Sequence, residues 1–212
     1  MVFRKKETII HELKHHWKFT LLLSLLAGVL VAIFFNLENM KTFVISSFEI
    51  LHPFHVFVSA IATSTIYYRY KKSVINSLII GTLGAIIIGT LSDIFLPWIA
   101  GNILTLHTHF HLPLIEEPFL IIPAAVVGSL FGIHFKIFRT AHSLHVFLSV
   151  FASLFYLVAY SQVLNPLVII VLSIVVFLAV YIPCCISDII FPIMFIGKPC
   201  DDCGHWHDNH KK

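Results

Sequence analysis

Two histidines three residues apart occur twice among the apolar stretches of this chain, as His52 and His55 and again as His142 and His145. Downstream of each pair, within a long apolar run, stands a carboxylate: Asp93 after the first pair and Asp188 after the second. Imidazole nitrogens and a carboxylate oxygen are ligands for divalent transition metals. Three of them leave coordination positions open, where a four-ligand cage would hold the ion structurally. Residues three or four apart share one helix face, so each pair can turn toward one ion. Below each pair the same ridge continues in hydroxyls at steps of four, Ser59 and Thr63 after His55, Ser149 and Ser153 after His145. Such a stripe can line a polar pathway, or its hydroxyls can bond their own helix or join helices together.

A carboxylate inside an apolar span costs about 2.5–3.5 kcal/mol even on lenient scales, so a functional role is its default reading. Pro97 and Pro192 follow the two aspartates by four residues. Proline has no N–H for the carbonyl four residues back, and the spacing predicts a free backbone oxygen beside each Asp side chain. The competing reading of one such aspartate is a cap on a local break, and of one histidine a hydrogen-bonded surface residue. Recurrence of the whole set weighs against both. Cys184 and Cys185 lie one turn before Asp188, where the first copy has Gly89 and Thr90, so the thiols stand outside the shared pattern.

Two further clusters have ligand character. Residues 101–117 carry His107, His109 and His111, followed by Glu116 and Glu117. Alternation by two places the three imidazoles along one edge of an extended segment, a metal-collecting surface. The last residues read Cys200-Asp-Asp-Cys203-Gly-His205-Trp-His207-Asp-Asn-His210, thiols and imidazoles suited to zinc, nickel or copper. His134 has no neighbouring histidine and takes no role. His11-Glu-Leu-Lys-His15-His16 resembles a histidine box of membrane desaturases, although an interfacial amphipathic lead-in explains it as well.

The elements that must position these residues are membrane helices. The chain is 58% hydrophobic and 12% charged, far more apolar than the roughly 45–50% of soluble domains. Runs free of acidic and basic residues accommodate six crossings near 18–36, 50–69, 74–98, 117–136, 141–160 and 164–195, long enough for the ~20 residues a span requires, the last of them well beyond it. Pro183 predicts a break or kink in the last. The N-terminal basic residues precede an apolar run without a small-residue cleavage site, which reads as an uncleaved anchor.

The two His/Asp sets belong to a larger internal repeat. Gly28, Leu30, Ile33 and Phe35 return as Gly128, Leu130, Ile133 and Phe135, so 18–100 maps onto 118–197. Three crossings per copy invert the second copy relative to the first. The predicted fold is therefore an all-α integral membrane protein of six transmembrane helices in two inverted three-helix repeats. Residues 1–17 form an N-terminal segment, 101–117 a His-rich loop and 198–212 a Cys/His-rich tail. Arg4, Lys5, Lys6, Lys14 and Lys18, then Arg69, Lys71 and Lys72, Lys136 and Arg139, and Lys198, Lys211 and Lys212 fall in alternate loops. That places both termini in the cytoplasm of a plasma or inner membrane and the loop 101–117 outside.

Inverted repeats are a recurring plan of secondary transporters, with the site where the halves meet. By inversion, one His/Asp set is expected toward the outside and the other toward the cytoplasm, unless broken helices bring them together at the midplane. The expected function is transport of a divalent transition-metal ion, zinc first, with iron, manganese, nickel or copper also within reach of the ligands. The lipid bilayer and the metal ion are the expected partners, a homo-oligomer is compatible with the pattern, and a net charge of +3 gives no nucleic-acid surface. The alternatives are an integral-membrane metalloenzyme, since two histidines and a carboxylate also describe a non-haem iron triad, and a metal-sensing membrane scaffold. No Walker loop, G-x-S-x-G elbow or dinucleotide fingerprint is present.

Overall fold

The structure is a computed structural model that describes residues 2–36, 40–135, 138–187 and 190–195. The described elements are helical: α1 (Val2–Phe34), α2 (Met40–Lys71), α3 (Val74–Thr90), a π turn (Leu91–Phe95), α4 (Leu96–Ile103), α5 (Pro113–Glu116), α6 (Pro118–Phe135), α7 (Phe138–Tyr160), α8 (Pro166–Ser187) and α9 (Ile190–Met194). Six helical stretches are long and apolar enough to cross a bilayer, with α3, the π turn and α4 forming one of them, Val74–Ile103. Their outward faces are apolar. Ile75, Ile79, Leu83 and Ile87 make one exposed ridge of α3, and Val171, Ile174, Leu178 and Ile182 another on α8.

The bundle is built around α2 and α7. In Ala141–Tyr160 of α7, 72% of the span is buried, and 56% of that of α2, against 33% for α1 and for α6. The two central helices pack on each other, α1 lies against α8, and α6 lies against α2 and α3. One apolar cluster joins Ala27 and Val31 of α1 to Leu154 and Leu157 of α7 and Leu172 and Val176 of α8. A second joins Val56 and Ala60 of α2 to Ala85 of α3 and Ile121 and Ala125 of α6. Apolar burial adds little where lipid is the alternative solvent, so close packing must hold such helices together. Gly128 and Gly132 allow it on α6: a Cβ at either position would lie 2.3 Å from the carbonyl oxygen of Phe57 or 2.4 Å from that of Ile61.

Three local features depart from the sequence expectations. Helix α2 begins at Met40, ten residues before the predicted span, because Lys41 is exposed and Glu49 only half-buried. Charge at the end of a helix some 48 Å long need not enter a hydrocarbon layer of about 30 Å. His52 is thus an interior residue of α2 and does not lie near its start. Pro183 does not end α8, which continues to Ser187. Ahead of Pro97 the third span widens: Leu91 N–H reaches both Ile87 and Ile88 carbonyls, and Leu96 N–H bonds the Leu91 carbonyl five residues back.

The loop after α4 does not run as an extended edge. It folds onto the end of α7, with His109 N–H donating to the Tyr160 carbonyl at 2.9 Å and Gln162 N–H to that of Leu106 at 3.0 Å. Thr108 and Ser161 hydroxyls meet at 2.8 Å.

Candidate metal centre

Helix α2 carries His52 and His55 inward, and the π turn brings Asp93 between them; all three are fully buried. Asp93 Oδ2 accepts from His52 Nδ1 at 2.9 Å and from His55 Nδ1 at 2.5 Å. Its other oxygen, Oδ1, accepts from Ser92 Oγ at 2.9 Å and from Ser149 Oγ of α7 at 2.7 Å. A carboxylate has about four acceptor sites, and four donors fill them. Hydrogen bonds to a charged acceptor contribute about 1.5–3 kcal/mol each, together enough to offset a desolvation penalty of several kcal/mol.

The short Nδ1 contacts are hydrogen bonds and not edges of a metal polyhedron. Tetrahedral ligands at about 2.0–2.1 Å from zinc would stand about 3.3 Å apart. Since an ionised carboxylate cannot donate, each ring gives its Nδ1 proton to Asp93 and in the neutral form carries its lone pair on Nε2. His52 Nε2 and His55 Nε2 are buried without hydrogen-bond partners. A carboxylate that orients one ring nitrogen while the other binds the ion is a recurring device of metal sites. Asp93 can serve in that way, or ligate directly after its histidine bonds open.

The second histidine pair enters the same place. His145 is fully buried and stacks on His55 with ring centroids 4.5 Å apart, and His142 meets His145 edge-on at 6.3 Å. Cys184 of α8 completes the cluster, buried, its thiol donating to Ser149 Oγ at 3.4 Å. Among the described residues, two groups of candidate ligands have their atoms within 4.8 Å of one another, His52–His55–Asp93 and His55–His145–Cys184, with His55 in both. His145 of the second pair thus joins the first pair at one centre, and sequence spacing did not single out Cys184. The signal lay in its position one turn before Asp188, on the helix facing α7. Asp188 itself lies outside the described residues.

The hydroxyl stripes differ between the halves. On α7, Ser149 holds Asp93 and Ser153 Oγ donates to the Ser92 carbonyl at 3.0 Å. A five-residue register pairs position 97 with Ser92, so the carbonyl that Pro97 cannot serve is that of Ser92, one residue before the predicted one. On α2, Ser59 Oγ and Thr63 Oγ1 are buried below His55 without partners.

The loop histidines are used separately. His109 Nε2 accepts from the Gln162 amide at 2.7 Å, and His111 Nδ1 pairs with Glu116 at 2.9 Å while its ring stacks on Tyr160 at 4.6 Å. His107 is exposed, and Glu117 is half-buried. Phe48, fully buried, stacks on His52 at 5.6 Å and meets His111, Tyr156 and Tyr160 edge-on. This aromatic plug separates the loop from the centre. Cys200, Cys203, His205, His207 and His210 lie outside the described residues, as do the side chains of His11, His15 and His16.

Compared with known protein families, characterised proteins and solved structures, the chain matches none.

Proposed function

We propose that this protein carries divalent transition-metal ions across a membrane, with its two halves arranged as inverted repeats about the buried histidine centre. The observation that carries the reading is the stack of His55 on His145 at 4.5 Å. These are corresponding positions of the two sequence copies, and contact between equivalent residues is what a two-fold axis passing between α2 and α7 would produce. The reciprocal packing of α1 on α8 and of α6 on α3 agrees with it. In transporters of this plan the substrate is held where the repeats meet and the halves rock around it. Nitrogen ligands buried without partners can bind a partly dehydrated ion. The unpartnered Ser59 and Thr63 extend a polar track along α2, and Phe48 closes the opposite side. The zinc-like divalent ions remain the first choice of cargo, the orientation has both termini in the cytoplasm, and the loop and tail histidines collect or buffer the ion.

One observation favours the integral-membrane metalloenzyme as a second reading: His145 of the second pair joins His52, His55 and Asp93 at one centre, as an active site requires. The two readings share the centre and differ in whether the ion leaves it.

Metal analysis of the purified protein tests the reading, wild type beside Asp93→Asn and Asp188→Asn. Retained zinc in the wild type, with affinity lowered about 10–100-fold by Asp93→Asn, is the expected outcome. A wild type that binds no transition metal above pH 7, where imidazole is neutral and competent, would remove both the transporter and the enzyme.

A further inference from the structure

The two ligand groups at the centre are chemically unequal. His52, His55 and Asp93 offer two nitrogens and an oxygen, whereas His55, His145 and Cys184 offer two nitrogens and a sulfur. The first sequence copy has Gly89 where the second has Cys184. Gly89 lies against the same histidine, its would-be Cβ 3.8 Å from the His55 ring and 3.0 Å from Val56, so a larger side chain there would crowd the centre. The asymmetry therefore places a thiol as well as the Asp93 carboxylate around His55.

We propose that Cys184 is a metal ligand and that, with His55 and His145, it forms a soft position of the centre, which selects thiophilic ions of the zinc, cadmium and cobalt class over magnesium or manganese. The inference rests on the centre being a metal site and specifies its substrate. Sulfur and imidazole ligands favour soft and borderline cations, whereas hard cations prefer oxygen. Cys184 is fully buried, and its thiol points along a short chain through Ser149 Oγ, at 3.4 Å, to Asp93 Oδ1, at 2.7 Å from that hydroxyl. On binding, the S–H bond breaks, the metal–sulfur bond forms in its place and the proton leaves to solvent. His55, common to both groups, has its Nδ1 on Asp93 and its Nε2 buried without a partner. An ion can therefore take His55 Nε2 together with the Cys184 sulfur while His55 Nδ1 stays on Asp93.

The test is optical. Metal-free full-length protein carrying Cys200→Ser and Cys203→Ser, so that the tail thiols cannot contribute, is titrated with Co2+. The expected spectrum shows ligand-field bands in the visible and a thiolate-to-cobalt charge-transfer band in the near ultraviolet. Adding Cys184→Ser should abolish the charge-transfer band, keep the ligand-field bands, weaken Cd2+ binding by about tenfold or more and leave Mn2+ binding within about twofold. Adding Cys185→Ser instead should leave the spectrum unchanged. Ligand-field bands with no charge-transfer band, or a charge-transfer band that survives Cys184→Ser, overturns the thiolate ligand alone. Absence of every cobalt band overturns it together with the metal centre.

Discussion

Asp93 accepts from four side chains that come from three different segments: His52 and His55 of α2, Ser92 of its own π turn and Ser149 of α7. Removing one neutral donor leaves an acceptor site of a buried carboxylate unfilled, which costs about 1–3 kcal/mol. Ser149→Ala should accordingly lower the thermal midpoint of the detergent-solubilised protein by several degrees, about 2–4 °C per kcal/mol for a chain of this size. An unchanged midpoint would mean that water or another donor replaces the serine. Asp93 and its two histidines were legible in the sequence, because an ionisable residue within an apolar run is costly enough to need a reason. Cys184 was not: a thiol in an apolar helix is an ordinary buried residue, and only tertiary packing brings it beside His55. The expectation of one His/Asp set toward each face, unless broken helices bring them together at the midplane, had helix two beginning near His52, whereas twelve residues of α2 precede it, about three turns.

At the scale of the elements, the π turn at Leu91–Phe95 decides where the carboxylate points. Such turns occur frequently at functional sites, and here the missing N–H of Pro97 removes the bond that would favour a four-residue register. Pro97→Ala restores that donor and makes an uninterrupted α register available, with Asp93 rotated relative to α2. Metal affinity should fall about tenfold or more while the far-ultraviolet circular dichroism stays unchanged; wild-type affinity would dissociate the turn from the site. The proline was visible in the sequence, and the register it produces was not, since a free carbonyl at 92 or at 93 depends on how the ladder shifts. The approach of α6 to α2 was also available to a reader of spacing. Gly128 and Gly132, four apart, form the small-residue pattern that lets membrane helices come close. Because a methyl group at 128 would meet the Phe57 carbonyl oxygen at 2.3 Å, Gly128→Ala should destabilise the fold by about 1–3 kcal/mol, seen as a lowered unfolding midpoint. A neutral result would show that the two helices can part without loss.

For the molecule as a whole, six apolar helices were foreseeable from composition and charge-free runs, and the internal repeat from the matched His, Ser and Asp blocks. How the copies meet was not, because sequence similarity does not say which faces touch. The proposed orientation, read from the basic residues of alternate loops, predicts that the loop 101–117 faces outside and the tail inside. In a chain otherwise free of cysteine, a cysteine at the exposed position of His107, His107→Cys, should be labelled from outside intact cells and Asn209→Cys should not; the reverse pattern would overturn the orientation. Ion movement through the shared centre remains the central claim, and saturable zinc uptake into proteoliposomes tests it most directly, with wild type, Asp93→Asn and Asp188→Asn compared at matched protein density. The account predicts uptake by the wild type and its loss in each variant, because an amide keeps the size of the carboxylate but removes the charge that offsets dehydration of a divalent ion. Wild-type uptake by both variants would contradict it.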